Sequence, residues 1–169
     1  HFKKYDRLCG GYIWDFADQT IKRMHADGTV EWTYGGDWDD KPNDGNFAFN
    51  GIVRGDRSPN PALYEVKKVY QQVDFTLVDG KVQVKNDYCY TDLKDHFSLR
   101  MTLTVNGEEK GSVDLAMPSV APHCTALVDI PFEVTESDTH LTVQAIQLCD
   151  DRGIKAGHVV AEEQLELSP

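Results

Sequence analysis

The sequence predicts a mainly β fold in which an immunoglobulin-like β-sandwich follows a shorter α/β segment. From about residue 72 onward, apolar and polar residues alternate, which is the period of strands with one buried face. About seven short runs of this kind, separated by turn signals, are typical of such a sandwich. Before residue 72 the apolar residues follow helical spacing or lead into loops rich in Gly, Asp and Asn. We therefore predict two domains, residues 1–72 and residues 73–169.

Turn signals separate the predicted strands of the sandwich. Asp79-Gly80 and Asn106-Gly107 are dipeptides that favour two-residue hairpin turns. Cys124 is predicted on an alternating apolar face, where a free cysteine behaves as a small hydrophobe. The strands are predicted at residues 75–77, 82–84, 97–105, 113–115, 124–130, 141–148 and 159–167.

The first 72 residues contain a short apolar run, a long loop and a helix. Residues 10–16 end in Trp14 and Asp15, and residues 33–60 are dense in Gly, Asp, Asn and Pro. A loop of that length is usually functional. Asn60-Pro61 predicts a helix start with a capping side chain and a proline in the first turn, followed by apolar residues at helical spacing up to Val73.

Composition excludes several classes of partner. The 28 acidic and 17 basic residues give a net charge of -11, which repels phosphate backbones and anionic membrane surfaces. We therefore expect no nucleic-acid partner. No apolar run approaches the roughly 20 residues of a spanning helix, so we expect no membrane association. The 4 cysteines lie far apart without a CxxC pair, which disfavours a zinc site and favours reduced thiols.

The segment around Trp14 and the loop after it are candidates for a sugar-binding rim. Indole surface packs against the C–H groups of a sugar ring, and the Asp15 carboxylate could accept from hydroxyls. The alternative is a core tryptophan beside a solvated aspartate. The loop amides, which suit neutral polyols or a hard cation, could equally serve tight turns; they are Asn43, Asn46 and Asn50, interleaved with Phe47 and Phe49.

The chain resembles the bacterial β-galactosidases of glycoside hydrolase family 2. The resemblance is carried by ordered motifs: GGYIWDFADQ at residues 10–19, YGGD at 34–37, PND at 42–44, Phe47, NG at 50–51, DR at 56–57 and PAL at 61–63. These motifs cover residues 5–72 densely. The remainder is more loosely similar to the sandwich that follows the catalytic barrel in those enzymes, with AGH at residues 156–158.

The resemblance implies a fold and a set of site residues. Residues 10–16 would be the last strand of a (β/α)8 barrel and residues 60–73 its last helix. The residue matching Trp14 lines the galactose pocket, and the residue matching Asn43 lies near magnesium. Those matching Phe47, through its carbonyl, and Asn50, through its side-chain oxygen, help to hold a sodium ion that touches the sugar. Asn50 is therefore both a substrate-binding and a metal-binding candidate.

The resemblance also implies a galactoside substrate, a homo-oligomeric parent, and magnesium and sodium as its cofactors. Retaining glycosidases use two carboxyl groups about 5 Å apart. In this family both are glutamates on other barrel strands, one after an asparagine and one before a tyrosine, and neither dipeptide occurs here. No catalytic residue is therefore predicted in this chain, and we expect it to be a fragment that is inactive alone and binds neither ion tightly.

Two points stay open at this stage. A freestanding carbohydrate-binding or interaction module is the alternative function, disfavoured because the chain opens without Met and keeps barrel residues that a module would not need. The compartment is not established; the cytoplasm is favoured, and the periplasm stays open because we expect the amino terminus of the parent to be absent.

Overall fold

The computed structural model describes residues 1–5, 7–134 and 138–167, and the chain forms two compact units, His1–Lys67 and Lys68–Pro169. The first unit contains an antiparallel hairpin of β1 (Ile21–Met24) and β2 (Val30–Thr33). Its long loop holds two short 3-10 helices, Gly35–Trp38 and Gly45–Ala48. Helix α1 (Pro61–Val69) follows, and no helix of the described residues is long and apolar enough to cross a membrane.

Two local expectations for the first 72 residues differ from the structure. Residues 10–16 form no strand, because their main-chain hydrogen bonds to residues 50–53 begin only at Asp15 and Phe16 and do not make a continuous ladder. The bridge that forms is parallel and joins Ala17 to Val53, just beyond this run. Helix α1 ends at Val69 rather than near Val73, since Val73 is already the first residue of the next strand.

The second unit is a sandwich of two antiparallel sheets, as predicted. One sheet has the order β3 (Val73–Val78), β4 (Lys81–Asn86) and β7 (Thr125–Val128). The other has the order β6 (Glu108–Ala116), β5 (Phe97–Val105), β8 (Thr139–Gln147) and β9 (Val159–Leu167). Both predicted hairpin turns form, and all four turn residues have positive φ, as the type I′ geometry requires.

The core lies between the inner faces of the two sheets. Strand β5 alternates at every position, and its five apolar residues are all buried, as the sequence pattern predicts. The largest completely buried core side chains are Phe75, Leu93, Leu99, Met101 and Leu141. This sandwich confirms the mainly β fold class.

Cys124 contradicts its prediction as a core residue. All four cysteines are free and exposed, including Cys124. Its backbone N–H donates to the carbonyl of Ala121 at 3.0 Å, so Cys124 still belongs to the turn before β7. The alternation begins only within the strand, where Ala126 and Val128 pack against the core.

Asn86 is a fully buried polar residue at the end of β4. Its Nδ2 donates to the carbonyl oxygens of Thr91 at 2.8 Å and Val120 at 2.7 Å. Its Oδ1 accepts from the Tyr88 N–H at 2.9 Å. One amide side chain thus joins the segments that follow β4 and β6, and none of its contacts follows from the alternating pattern of the strand.

The two edges of the four-stranded sheet are acidic. Strand β6 carries Glu108, Glu109 and Asp114, and strand β9 carries Glu162, Glu163 and Glu166. Each edge strand also has an irregular register with its neighbour, at Leu103/Thr104 for β6 and at Ala145/Ile146 for β9.

A hydrogen-bonded carboxylate at the turn before β5 makes the stability of the sandwich depend on pH. Asp92 accepts from Ser119 Oγ at 2.7 Å and from the N–H groups of Lys94 and Val120, each at 3.2 Å. The Ser119 hydroxyl is the main cause that holds the pKa of Asp92 below its ordinary value of 3.8, with the two backbone donors adding to it. The folded state therefore favours the ionised form.

We expect the stabilisation from the Asp92 charge to be complete above pH 3.8 and to be lost as the pH falls through the lowered folded-state pKa. Asp92→Asn removes this charge, so its thermal midpoint should lie below that of the unmodified chain at pH 6. The two midpoints should converge as the pH falls below 3.8. Thermal unfolding followed by circular dichroism at several pH values measures this. A constant difference between the two chains at every pH would contradict the assignment.

Candidate functional site

The first unit brings two distant segments together by main-chain hydrogen bonds. The N–H of Asp15 donates to the carbonyl of Asn50 at 3.3 Å, and the carbonyl of Asp15 accepts from the N–H of Ile52 at 3.2 Å. Two further bonds join Val53 to Phe16 at 3.0 Å and to Asp18 at 2.9 Å. Residues 15–19 and 48–53 therefore run side by side, which places Asn50 against the residue that follows Trp14.

Gly51 lies where these two segments approach each other closely. Its N–H donates to Asp18 Oδ1 at 2.8 Å, and its carbonyl accepts from Asn60 Nδ2 at 2.9 Å. A Cβ at this position would overlap the Asp18 nitrogen and the Val53 carbonyl oxygen, and would lie 2.5 Å from the Ala17 carbonyl carbon. Only glycine fits here, because all three of these atoms are backbone. The Asn60 amide, predicted as a helix cap, instead donates to Gly51.

The side-chain amide of Asn50 is unusual because it is buried without hydrogen bonds to the rest of the described chain. Both its Oδ1 and its Nδ2 are buried, and neither has a hydrogen-bond partner among the described residues. Leaving such a group without a partner costs free energy, so a buried unpaired amide in a folded protein needs an explanation. The amide oxygen has lone pairs that can also coordinate a hard cation.

Trp14 is open to a ligand, whereas the carboxylate of Asp15 already makes hydrogen bonds within the chain. The indole of Trp14 is 73 % exposed, so a flat apolar surface is open to a ligand. The peptide bond that joins Trp14 to Asp15 is cis. Asp15 already accepts from Gln19 Nε2 at 3.1 Å and from the N–H of Phe16. Its carboxylate therefore also organises the local turn.

Asn43 and Phe47 line the same cavity, which has a volume of about 160 Å³. The Asn43 side chain is used within its loop, since Nδ2 donates to the Asp40 carbonyl at 2.8 Å and Oδ1 accepts from the Gly45 N–H at 3.0 Å. Phe47 belongs to the second 3-10 helix, and its ring is 58 % exposed. The other lining residues are Gln19, Tyr34, Gly35, Asp44, Gly45 and Ala48. Trp14 and Asn50 do not line this cavity.

The described residues fit the two ions differently. The Asn50 oxygen is buried and without a partner, so it fits a ligand to sodium. No group of three or more His, Cys, Asp or Glu side chains in the described parts of the chain is placed to hold a metal ion. The Asn43 oxygen, which accepts from Gly45, is engaged in its turn. These residues do not by themselves form a magnesium site.

Sequence reasoning missed the contacts around Gly51. Asp18 and Gly51 are 33 positions apart, and Asn60 and Gly51 are 9 apart. No local pattern couples positions at these distances. The motif GGYIWDFADQ includes Asp18, but only the fold shows which atom its carboxylate contacts.

Comparison with known proteins matches both units. The model of the glycosyl hydrolases family 2 TIM barrel domain matches residues 1–75, and that of β-galactosidase domain 4 matches residues 82–168. A β-galactosidase of Vibrio cholerae serotype O1 is 37 % identical over 172 residues, which include 99 % of this chain and 16 % of the relative.

Two further β-galactosidases give the same result. The protein from Klebsiella pneumoniae is 37 % identical and covers 98 % of this chain, with 16 % of its own length aligned. The protein from Priestia megaterium is also 37 % identical over 98 % of the chain and 17 % of its own length. The chain thus spans about a sixth of the length of these relatives. It belongs to the β-galactosidase family of glycoside hydrolase family 2, in which it corresponds to the end of the TIM barrel domain and to domain 4.

Proposed function

We propose that this chain is part of a β-galactosidase whose full-length form hydrolyses terminal non-reducing β-D-galactosides with retention. The relatives that align with almost the whole chain are named β-galactosidases. The observation in the chain itself that supports the proposal is the buried, unpartnered amide of Asn50 next to the exposed Trp14 segment. We further propose a cytoplasmic homo-oligomer as the parent, with magnesium and sodium as its cofactors.

In this proposal the chain contributes recognition and no catalytic carboxylate. Trp14 offers its indole face to the apolar side of the galactose ring. The Asn50 oxygen and the Phe47 carbonyl hold sodium, which would supply a positive charge to the sugar hydroxyls when it is bound. Asn43 shapes the loop near the magnesium site. The domain boundary follows residue 72, and the sandwich of residues 73–169 serves as a structural domain.

The proposal predicts that the parent hydrolyses an aryl β-galactoside and that the isolated 169-residue chain does not. Two carboxyl groups about 5 Å apart are needed for retention, and the dipeptides that carry them in this family are absent here. In the parent, Trp14→Ala should lower kcat/KM about fivefold, since an aromatic contact of this kind contributes on the order of 1 kcal/mol. Steady-state release of the aryl group measures the activity of the isolated chain, and it measures kcat/KM of the parent and of its Trp14→Ala variant.

Tyr90→Ala is the matched control for Trp14→Ala, because Tyr90 is an aromatic residue that is 98 % exposed and lies in the other unit. Its kcat/KM should equal that of the unmodified parent. An inert parent would contradict the proposed activity, and turnover by the isolated chain would contradict the location of the catalytic pair. Equal effects of the two substitutions would contradict the role of Trp14.

A further inference from the structure

We propose that Asp18 and Asn60 are positioning residues that hold Asn50 in the orientation needed to bind the cation. We call the two side chains and Gly51, which they both contact, the Gly51 clamp. This inference rests on the proposed sodium site. It concerns residues that do not themselves contact the ion and that are separated from Gly51 by 33 and 9 positions in the chain.

The clamp completes the hydrogen bonding of two consecutive peptide groups. In the peptide between Asn50 and Gly51, the carbonyl accepts from the Asp15 N–H at 3.3 Å and the N–H donates to Asp18 Oδ1 at 2.8 Å. In the next peptide, the Gly51 carbonyl accepts from Asn60 Nδ2 at 2.9 Å and the Ile52 N–H donates to the Asp15 carbonyl at 3.2 Å. The N–H and carbonyl groups of both peptides that follow the Asn50 α-carbon therefore all have hydrogen-bond partners.

This arrangement fixes the backbone from which the Asn50 side chain projects. Because Gly51 has no Cβ, its backbone can lie directly against the backbone of residues 17 and 18. The Asn50 amide itself makes no hydrogen bond to the described residues that could hold it. Its orientation therefore depends on the backbone and on packing. A preorganised ligand loses less conformational freedom when the ion binds, which raises affinity.

The two side chains act by different chemistry, so isosteric substitutions can separate them. Asp18 is used as an acceptor, and Asp18→Asn keeps an oxygen that can accept from the Gly51 N–H. Asp18→Ala removes it. Asn60 is used as a donor, and Asn60→Asp places a carboxylate oxygen against the Gly51 carbonyl without changing the size of the side chain. The inference therefore predicts that Asp18→Asn is tolerated and that Asp18→Ala and Asn60→Asp are harmful.

The test uses the full-length parent with sodium chloride as the probe and choline chloride at equal ionic strength as the reference. We measure the sodium-dependent rise in the thermal midpoint and the sodium concentration that gives half-maximal hydrolysis of an aryl β-galactoside. Asp18→Ala and Asn60→Asp should each raise that concentration about tenfold, the size expected for one lost hydrogen bond. They should also reduce the sodium-dependent thermal shift, whereas Asp18→Asn should retain both.

Two matched controls share the local chemistry but lie outside the clamp. Asp56→Ala removes another loop carboxylate, which accepts from the Ser58 N–H at 2.9 Å. Asn106→Asp repeats the amide-to-acid change in the hairpin turn between β5 and β6. Both should leave the sodium dependence unchanged, even where the thermal midpoint in choline falls.

The outcomes distinguish the inference from the function on which it rests. If Asn50→Ala leaves the sodium dependence unchanged, the proposed sodium site is wrong. If Asn50→Ala alters it while Asp18→Ala and Asn60→Asp lower only the midpoint in choline, the site stands and the clamp is purely structural. If Asp18→Asn is as harmful as Asp18→Ala, the charge of Asp18 matters rather than its hydrogen bond, and the inference is overturned.

Discussion

Replacing Asn86 with alanine is expected to lower the free energy of unfolding of the sandwich by about 2–4 kcal/mol, because each partner left unpaired inside the protein costs on the order of 1–3 kcal/mol. The substitution removes both donors and the acceptor of a fully buried side chain. It leaves the Thr91 carbonyl and the Tyr88 N–H without the partner that Asn86 supplies, and it leaves the Val120 carbonyl with the Leu93 N–H at 3.3 Å. A loss of this size is a large part of the stability of a typical domain.

Urea unfolding followed by far-ultraviolet circular dichroism measures this loss. Tryptophan fluorescence would not report the unfolding of the sandwich, since Trp14, Trp32 and Trp38 all belong to the first unit. The matched control is Gln83→Ala, on the opposite face of the same strand, which should change the free energy by no more than about 0.5 kcal/mol. Similar losses for the two variants would show that the Asn86 hydrogen bonds do not stabilise the sandwich.

Replacing Gly51 with alanine is expected to lower kcat/KM of the parent about a hundredfold, the effect of a misplacement near 1 Å at a binding group. The added Cβ meets backbone atoms of Ala17, Asp18 and Val53, so no change of rotamer can relieve the overlap. The two segments must separate, and the backbone that carries Asn50 moves with them.

Gly111→Ala is the control for this substitution. A Cβ at Gly111 meets only the Cε1 atom of Phe132, at 3.3 Å, and a side chain can shift by that little. Steady-state kinetics on an aryl β-galactoside measures both variants, and the fluorescence of the three tryptophans in the isolated chain reports rearrangement of the first unit. Normal kinetics and fluorescence for Gly51→Ala would contradict the close approach that we describe.

The sandwich was predictable because its signals are local. The residues of β5 alternate for nine positions, and both dipeptide turns take positive φ at the predicted sites. Period and turn chemistry act over a few residues, which is the range that a sequence pattern covers. The motif order likewise predicted the family, since the spacing of many short motifs is itself sequence information.

Other features depend on distant contacts or on weak patterns. The hairpin of β1 and β2 was not predicted, because neither of its four-residue strands alternates between buried and exposed positions. Asn86 occupies an inward position at the end of a strand, and its partners at residues 91 and 120 are set by the fold. The same holds for Asp18 and Asn60, whose common partner Gly51 is defined only by the pairing of two segments.

The acidic edges of the four-stranded sheet affect how copies of the chain meet in solution. An open edge offers unpaired backbone groups to a strand of another molecule, which is the first step of sheet-to-sheet aggregation. Here both edges carry more carboxylates than cations on β6 and β9, so two copies that approach edge to edge repel each other, and at the β9 edge Gln71 and Lys68 already bond the main-chain groups of Glu162. The register irregularities beside each edge also disturb the flat template that such growth requires. Added salt screens this repulsion and acid neutralises the carboxylates, so colloidal stability should be greatest in dilute buffer at neutral pH.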